Sequence, residues 1–287
     1  MKERNTIFSL SRAGTLRGAA FFSPERVRRA VADGMFSPWF QPVVCADTGR
    51  LCGCEVLLRW ESALTREASY EAMITWLEHS ELIVPVTTQL MQQVADILTP
   101  VSEFLPAGFR VGMNICAGNL LSPALEQSCE AFLACPEIRH VNLVLELTER
   151  IPVPDSPDVT AMIFRLAGRN ITFALDDFGT GWATYQYVKK FPVRVIKIDR
   201  VFVRDFLFND ASDSIIDSII CLADKMKLDV VAEGVEIREQ ADGLCAKGVK
   251  FLQGYLFSPP LSGDEFISEW LVSTGKNALC HEQKGVT

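Results

Sequence analysis

Short apolar runs recur along the chain, and most of them stop abruptly at a polar or charged side chain. They are Arg110-Val-Gly-Met-Asn114, Asn142-Leu-Val-Leu-Glu146, Ile171-Thr-Phe-Ala-Leu175 running into Asp176 and Asp177, Val195-Ile-Lys197, Val230-Val-Ala-Glu233 and Phe251-Leu-Gln253. Their β-branched and aromatic content without helical spacing predicts buried strands. A helix-compatible segment follows each, and the polar endings from Asn114 to Gln253 lie 32, 30, 21, 36 and 20 residues apart. That alternation predicts an α/β fold of the TIM (β/α)8 barrel type, whose chemistry sits at the carboxyl ends of parallel strands. Upstream, Trp39–Val44 and Leu51–Leu58 read as two strands joined at Asp47-Thr-Gly49, close enough for an antiparallel hairpin.

Helix starts are signalled by Ser23-Pro24-Glu25, Ser122-Pro123 and Ser156-Pro157, each a capping serine before a proline. Amphipathic spacing predicts helices over about 69–80 and 86–99, with Val86, Leu90, Val94 and Ile97 on one face. Further helices are expected over Asp210–Lys227, Ile237–Lys247 and Gly263–Val272. Residues 1–22 read as a polar arm, 23–275 as the barrel and 276–287 as a tail.

Composition narrows the class. The 287 residues suit one barrel of roughly 250 residues with short extensions. A formal net charge of −8 argues against DNA, RNA or an anionic membrane as partner. No run of about 18 apolar residues predicts a membrane span, and no signal-peptide pattern opens the chain, so a cytoplasmic protein is expected. Nine cysteines at irregular spacings suggest no closed disulfide framework. In a reducing cytosol most would be small buried thiols. With only three histidines, a zinc site is not expected.

The strand endings then acquire a joint meaning. Converging at one end of a barrel, Glu55, Asn114, Glu146, Asp176, Asp177 and Glu233 make an all-oxygen basin. Such a donor set favours Mg²⁺ or Mn²⁺ over softer metals. Five carboxylates exceed the need of one ion and suit a two-metal site of the phosphoryl-transfer kind. Lys197, the one cation at a strand end, is placed to orient a water or offset phosphoryl charge.

The blocks Glu55-Val-Leu57, Asn114, Glu146-Leu-Thr-Glu149, Asp176-Asp-Phe-Gly-Thr-Gly181, Lys197-Ile-Asp199, Ala232-Glu-Gly-Val-Glu236 and Leu252-Gln-Gly254 occur in the order found in EAL-domain phosphodiesterases, which the chain resembles from about residue 24 to 272. Those enzymes linearise cyclic di-GMP to pGpG in a modified TIM barrel with an antiparallel first strand. The resemblance implies that Glu55, Asn114, Glu146 and Asp176 hold one divalent cation and that Asp176 and Asp177 hold a second. It places Glu233 at the metal centre and Lys197 beside the attacking water. Glu149 would brace the loop after the aspartate pair, and Glu236 would support the metal ligands from behind. Gln41, Arg59, Asp199 and Gln253 would contact substrate, and a homodimer is implied.

The chain also departs from the family pattern. Val56 replaces the signature alanine, Cys116 stands where serine is usual, and residues 61–75 rewrite the loop after Arg59-Trp60. Glu78 matches the acid of the following helix only loosely. A relative without full catalysis, acting as a cyclic di-GMP receptor or protein-binding regulator, is therefore the alternative to a phosphodiesterase.

Overall fold

A computed structural model of the chain describes residues 23–60, 70–148, 152–180 and 184–272. The arm, the tail, most of the rewritten loop, and Glu149 lie outside these. The eight expected strands are β1 (Phe36–Cys45), β2 (Leu51–Trp60), β3 (Arg110–Ile115), β4 (Asn142–Leu147), β5 (Thr172–Phe178), β6 (Val193–Ile198), β7 (Asp229–Ala232) and β8 (Phe251–Gln253). They run in sequence order around a closed barrel, β2 to β8 parallel, with β1 antiparallel to both β2 and β8. A ninth strand of two residues, Leu261–Ser262, adds to β1.

β1 begins three residues before the sequence suggests. Its Pro38 and Pro42 lack an N–H to donate to a ladder, yet both pair with β2, opposite Leu58 and Cys54. On the other edge of β1, the ninth strand meets Trp39 and Phe40 and β8 meets Val43 to Cys45. The prolines thus fall outside both pairings on that edge.

Helices form where the caps predict them. Ser23, Ser122 and Ser156 each accept a backbone N–H from the first helical turn of Pro24–Ala32, Pro123–Leu133 and Pro157–Ala167. The Asp210–Met226 helix buries Ile216, Ile219, Ile220 and Ala223 against the barrel wall. The last helix starts over Gly263–Phe266 but continues as a π-helical turn, Ile267–Val272. None of the described helices is long and apolar enough to cross a membrane.

Three clusters of core result. The largest lies between the strands and the surrounding helices, and a second gathers Val27, Phe36, Trp60, Met73 and Leu77. Inside the barrel, Val144, Ala174, Val195 and Val231 pack with Val43 and Phe251. These small side chains leave the upper barrel free for charged groups.

The cysteine expectation holds in part. Cys54, Cys116 and Cys129 are buried thiols. Cys45 and Cys52, however, are disulfide-bonded across the β1–β2 hairpin, their Cα atoms 5.9 Å apart. Their six-residue gap in sequence gave no hint of this pair, because the turn between them brings them together.

Candidate active site

The centre of the barrel mouth is an ammonium. Lys197, 2% exposed at the end of β6, places its Nζ 3.1 Å from Glu55 Oε2, 3.0 Å from Asp176 Oδ1 and 2.6 Å from Glu233 Oε1, and also pairs with Glu146 Oε2. Four strands therefore deliver four carboxylates to one lysine from a fifth. Glu55 is held further by Asn114 Nδ2 at 2.8 Å and Gln253 Nε2 at 2.8 Å. Gln253 Nε2 also reaches Gln41 Oε1 at 3.1 Å, and Gln41 donates to the Ser258 carbonyl at 3.2 Å.

Adjacent residues of a strand point to opposite faces, so Asp176 and Asp177 need a reason to converge. β5 supplies it with a bulge. Leu175 lies opposite Ile196 and Phe178 opposite Ile198, so the two aspartates share the single position Lys197 on β6. Asp177 takes the left-handed conformation, φ 53, which turns its carboxylate back toward the mouth. Gly179 follows at φ 99, and a Cβ there would meet the Phe202 ring at 3.0 Å. Oxygens of Asp176, Asp177 and Glu233 consequently lie within 4.8 Å of one another.

The donor set fits hard divalent cations. Every ligand candidate offers oxygen, and four carboxyl groups crowd one ammonium before Asp177 is counted. Among the described residues, the buried Asp176 Oδ1 and Gln253 Oε1 receive no hydrogen bond. Lys197 is near Asp176 Oδ1 but not aligned to donate to it. An oxygen buried without a donor is costly, and a cation would satisfy it.

Electrostatics point the same way. Burial pushes the Glu146 carboxyl up to about 8, with Glu55 and Asp176 adding repulsion and Lys197 opposing it. Burial, with repulsion from Asp176 and Glu55, also holds Glu233 well above the carboxylate range. Glu55 moves down despite its burial, because Lys197, Gln253 and Asn114 all stabilise its ionised form. In the metal-free protein the cluster therefore keeps protons that the unfolded chain would release. The folded state binds the extra protons between roughly pH 4.5 and 8, so its stability should fall as pH rises through that window. Melting temperatures in chelator from pH 5 to 8 should decline, and Mg²⁺ should flatten the decline. A chelated protein whose stability rises across the window would place ionised, well-paired carboxylates in the cluster instead.

Other sequence-derived residues are more dispersed. Arg59 donates to the Leu58 carbonyl at 3.0 Å and lies 5.5 Å over the Trp39 ring. It lines a cavity of about 260 Å³ together with Glu55, Asn114, Asp176, Asp177, Glu78 and Cys116. Asp199 caps the short helix Arg200–Val203 through Val201 N at 2.6 Å. Glu236 is exposed beyond β7, its N–H donated to Gln240. Val56 is buried in the core on the far side of β2 from Glu55.

Sequence reasoning missed Gly112. A Cβ on this β3 residue would overlap Glu146 Oε1, so the glycine leaves room for that carboxylate beside Lys197. An unexplained glycine inside a strand was the available signal. Gly112→Ala should displace Glu146 and cost about 1–3 kcal/mol of stability, together with most Mg²⁺-induced stabilisation. Thermal melts with and without Mg²⁺ test this, and unchanged curves would show that Glu146 tolerates the methyl group.

Comparison with known proteins follows the same lines. The EAL domain family matches residues 24–260. The chain is 49% identical over 253 residues to the cyclic di-GMP phosphodiesterase PdeL of Escherichia coli (strain K12), covering 88% of this chain and 70% of PdeL. It is 39% identical to the probable cyclic di-GMP phosphodiesterase PdeG of the same organism, covering 84% of this chain and 48% of PdeG. It thus spans about half of that relative. Among solved structures, the EAL enzyme Bd1971 in its cAMP- and cyclic-di-GMP-bound form superposes with a TM-score of 0.77 at 28% identity, over 90% of this chain and 69% of that one. The PaMucR phosphodiesterase in complex with c-di-GMP gives 0.72 at 26%, over 84% and 98%.

Proposed function

The chain belongs to the EAL-domain family, and from that premise we propose that it is a metal-dependent phosphodiesterase that hydrolyses cyclic di-GMP to linear pGpG. The observation that supports this most is the acid cluster around Lys197 at the mouth of the barrel. Glu55, Asn114, Glu146 and Asp176 would hold one divalent cation of the Mg²⁺ or Mn²⁺ kind, and Asp176 and Asp177 a second, with Glu233 at the metal centre. When bound, such ions polarise phosphoryl oxygens and lower the pKa of water at the site.

The remaining work falls to side chains. Lys197, whose three N–H donors face the surrounding carboxylates in the metal-free protein, would turn one of them to the attacking water and to charge developing on the phosphoryl group. Glu233, in its ionised form, is suited to take a proton from that water. Hydrolysis of one phosphodiester bond leaves a 5′-phosphate and a 3′-hydroxyl, and the departing 3′-oxygen takes its proton from solvent. Gln41, Arg59, Asp199 and Gln253 would position the dinucleotide, with Glu149 and Glu236 supporting the site. A homodimer in the cytoplasm remains part of this reading.

A receptor without turnover is the competing class, and the full set of acids with Lys197 favours the enzyme. The discriminating experiment compares cations. Mg²⁺ and Mn²⁺ should support turnover, whereas the larger, loosely coordinated Ca²⁺ should support substrate binding with little hydrolysis. Binding in all three without a linear product would establish the receptor instead.

A further inference from the structure

The β1–β2 hairpin carries a second chemical feature, at the opposite end from the acids. Val43 lies opposite Gly53 and Val44 opposite Leu51, so Cys52 is the extra residue of a bulge. The bulge brings Cys52 to Cys45, and the two form a disulfide across the turn. Six other cysteines among the described residues stay free. A scaffold that depends on disulfides pairs most of its cysteines, and this one closes a separation of only seven residues. Short closures constrain the unfolded chain least. Neither cysteine belongs to the hydrophobic core, so the bond is no part of core packing.

Both cysteines are half-buried and within reach of a small reagent. Cys54, two residues on, is a buried free thiol out of reach of such a reagent. Cys52 Sγ lies 3.4 Å from the Arg50 carbonyl, an acceptor for its thiol once the bond is reduced. The hairpin also bears on the site. Gln41 and Glu55 face each other across it, and one cavity is lined by Cys52 at its floor and by Glu146, Lys197 and Gln253 above.

We propose that Cys45 and Cys52 form a reversible redox-modification site, oxidised by a low-molecular-weight disulfide of the glutathione class, and that its state sets the rigidity of the hairpin presenting Gln41 and Glu55. One cysteine, as thiolate, attacks the reagent's disulfide, forming a mixed disulfide and releasing one thiolate. The other cysteine then attacks the protein-side sulfur, forming Cys45–Cys52 and releasing the second. The protein loses two protons and two electrons, and the reagent is reduced to two thiols.

The test equilibrates the full chain in mixtures of reduced and oxidised glutathione, then traps free thiols with an alkylating reagent. Intact mass counts the thiols, peptide mapping locates them, and hydrogen exchange is measured on 41–55 in the same samples. Two thiols, at Cys45 and Cys52, should disappear and return with the glutathione ratio. Hairpin amides should exchange roughly tenfold more slowly in the oxidised form. Cys52→Ser, and independently Cys45→Ser, should abolish both changes. The proposal is overturned by absence of the bond at every ratio, by a bond that no ratio reverses, by a lasting glutathione adduct, or by identical exchange in the two states.

Discussion

Lys197→Met should lower the melting temperature of the metal-free protein by roughly 10 °C and abolish hydrolysis. The lysine is the shared partner of Glu55, Glu146, Asp176 and Glu233 and is almost wholly buried. Removing it leaves four carboxylates without a counterion, a change that typically costs about 3–5 kcal/mol. Protonation of Glu146 and Glu233 relieves part of that repulsion, so the lower half of the range is expected. Added Mg²⁺ should return most of the lost stability, since binding to the folded state alone shifts the equilibrium and the ions replace the missing positive charge. Turnover should stay lost, because the ions do not replace the N–H donor proposed to face the water. Melting curves in chelator and in Mg²⁺, beside an activity assay, separate the two roles. Equal melting of the two chelated proteins would mean that the ammonium contributes nothing to holding the acids together.

Asp176→Asn should have the second large effect, on chemistry rather than on folding. Asp176 belongs both to the group around Lys197 and to the trio with Asp177 and Glu233. The amide keeps the shape and removes one of the excess negative charges. Its oxygen still faces Lys197, and its N–H groups give neighbouring carboxylates donors. The metal-free variant should therefore melt at or slightly above the wild-type temperature. Stabilisation by Mg²⁺ should shrink, and turnover should fall by about 10³-fold, the scale expected when a charged stabiliser of the transition state is lost. Calorimetric titration with Mg²⁺ should show the stoichiometry drop from two ions to one. A chelated variant clearly less stable than wild type would mean that Lys197 depends on the Asp176 charge more than the cluster suffers from it.

The strand ends were legible because barrel chemistry places a polar residue where an apolar run stops. Glu146, Asp176, Lys197 and Glu233 were visible in this way, whereas Glu55 sits inside its strand, and all four acids meet at Lys197. Their arrangement was less accessible. Periodicity alone would send Asp176 and Asp177 to opposite faces, and only the bulge opposite Lys197, with Asp177 at positive φ, reconciles them. Lys197 read as a group beside a water, whereas its first role is as counterion at the centre of the acids. That role depends on distances between strands far apart in sequence. The start of β1 was obscured by Pro38, since a strand's tolerance of proline depends on which edge is paired. Gly112 and the Cys45–Cys52 pair share this difficulty. Each is defined by a neighbour across the sheet or the turn, which no local pattern records.

The central claim, water-driven and metal-dependent cleavage of cyclic di-GMP at the Lys197 cluster, is tested most directly in oxygen-18-labelled water. The full chain is incubated with cyclic di-GMP and Mg²⁺, with a chelated control, and the products are weighed by mass spectrometry. The account predicts linear pGpG carrying one labelled oxygen on its 5′-phosphate in Mg²⁺ and unchanged substrate in chelator. Unlabelled product, or equal hydrolysis in chelator, would contradict it.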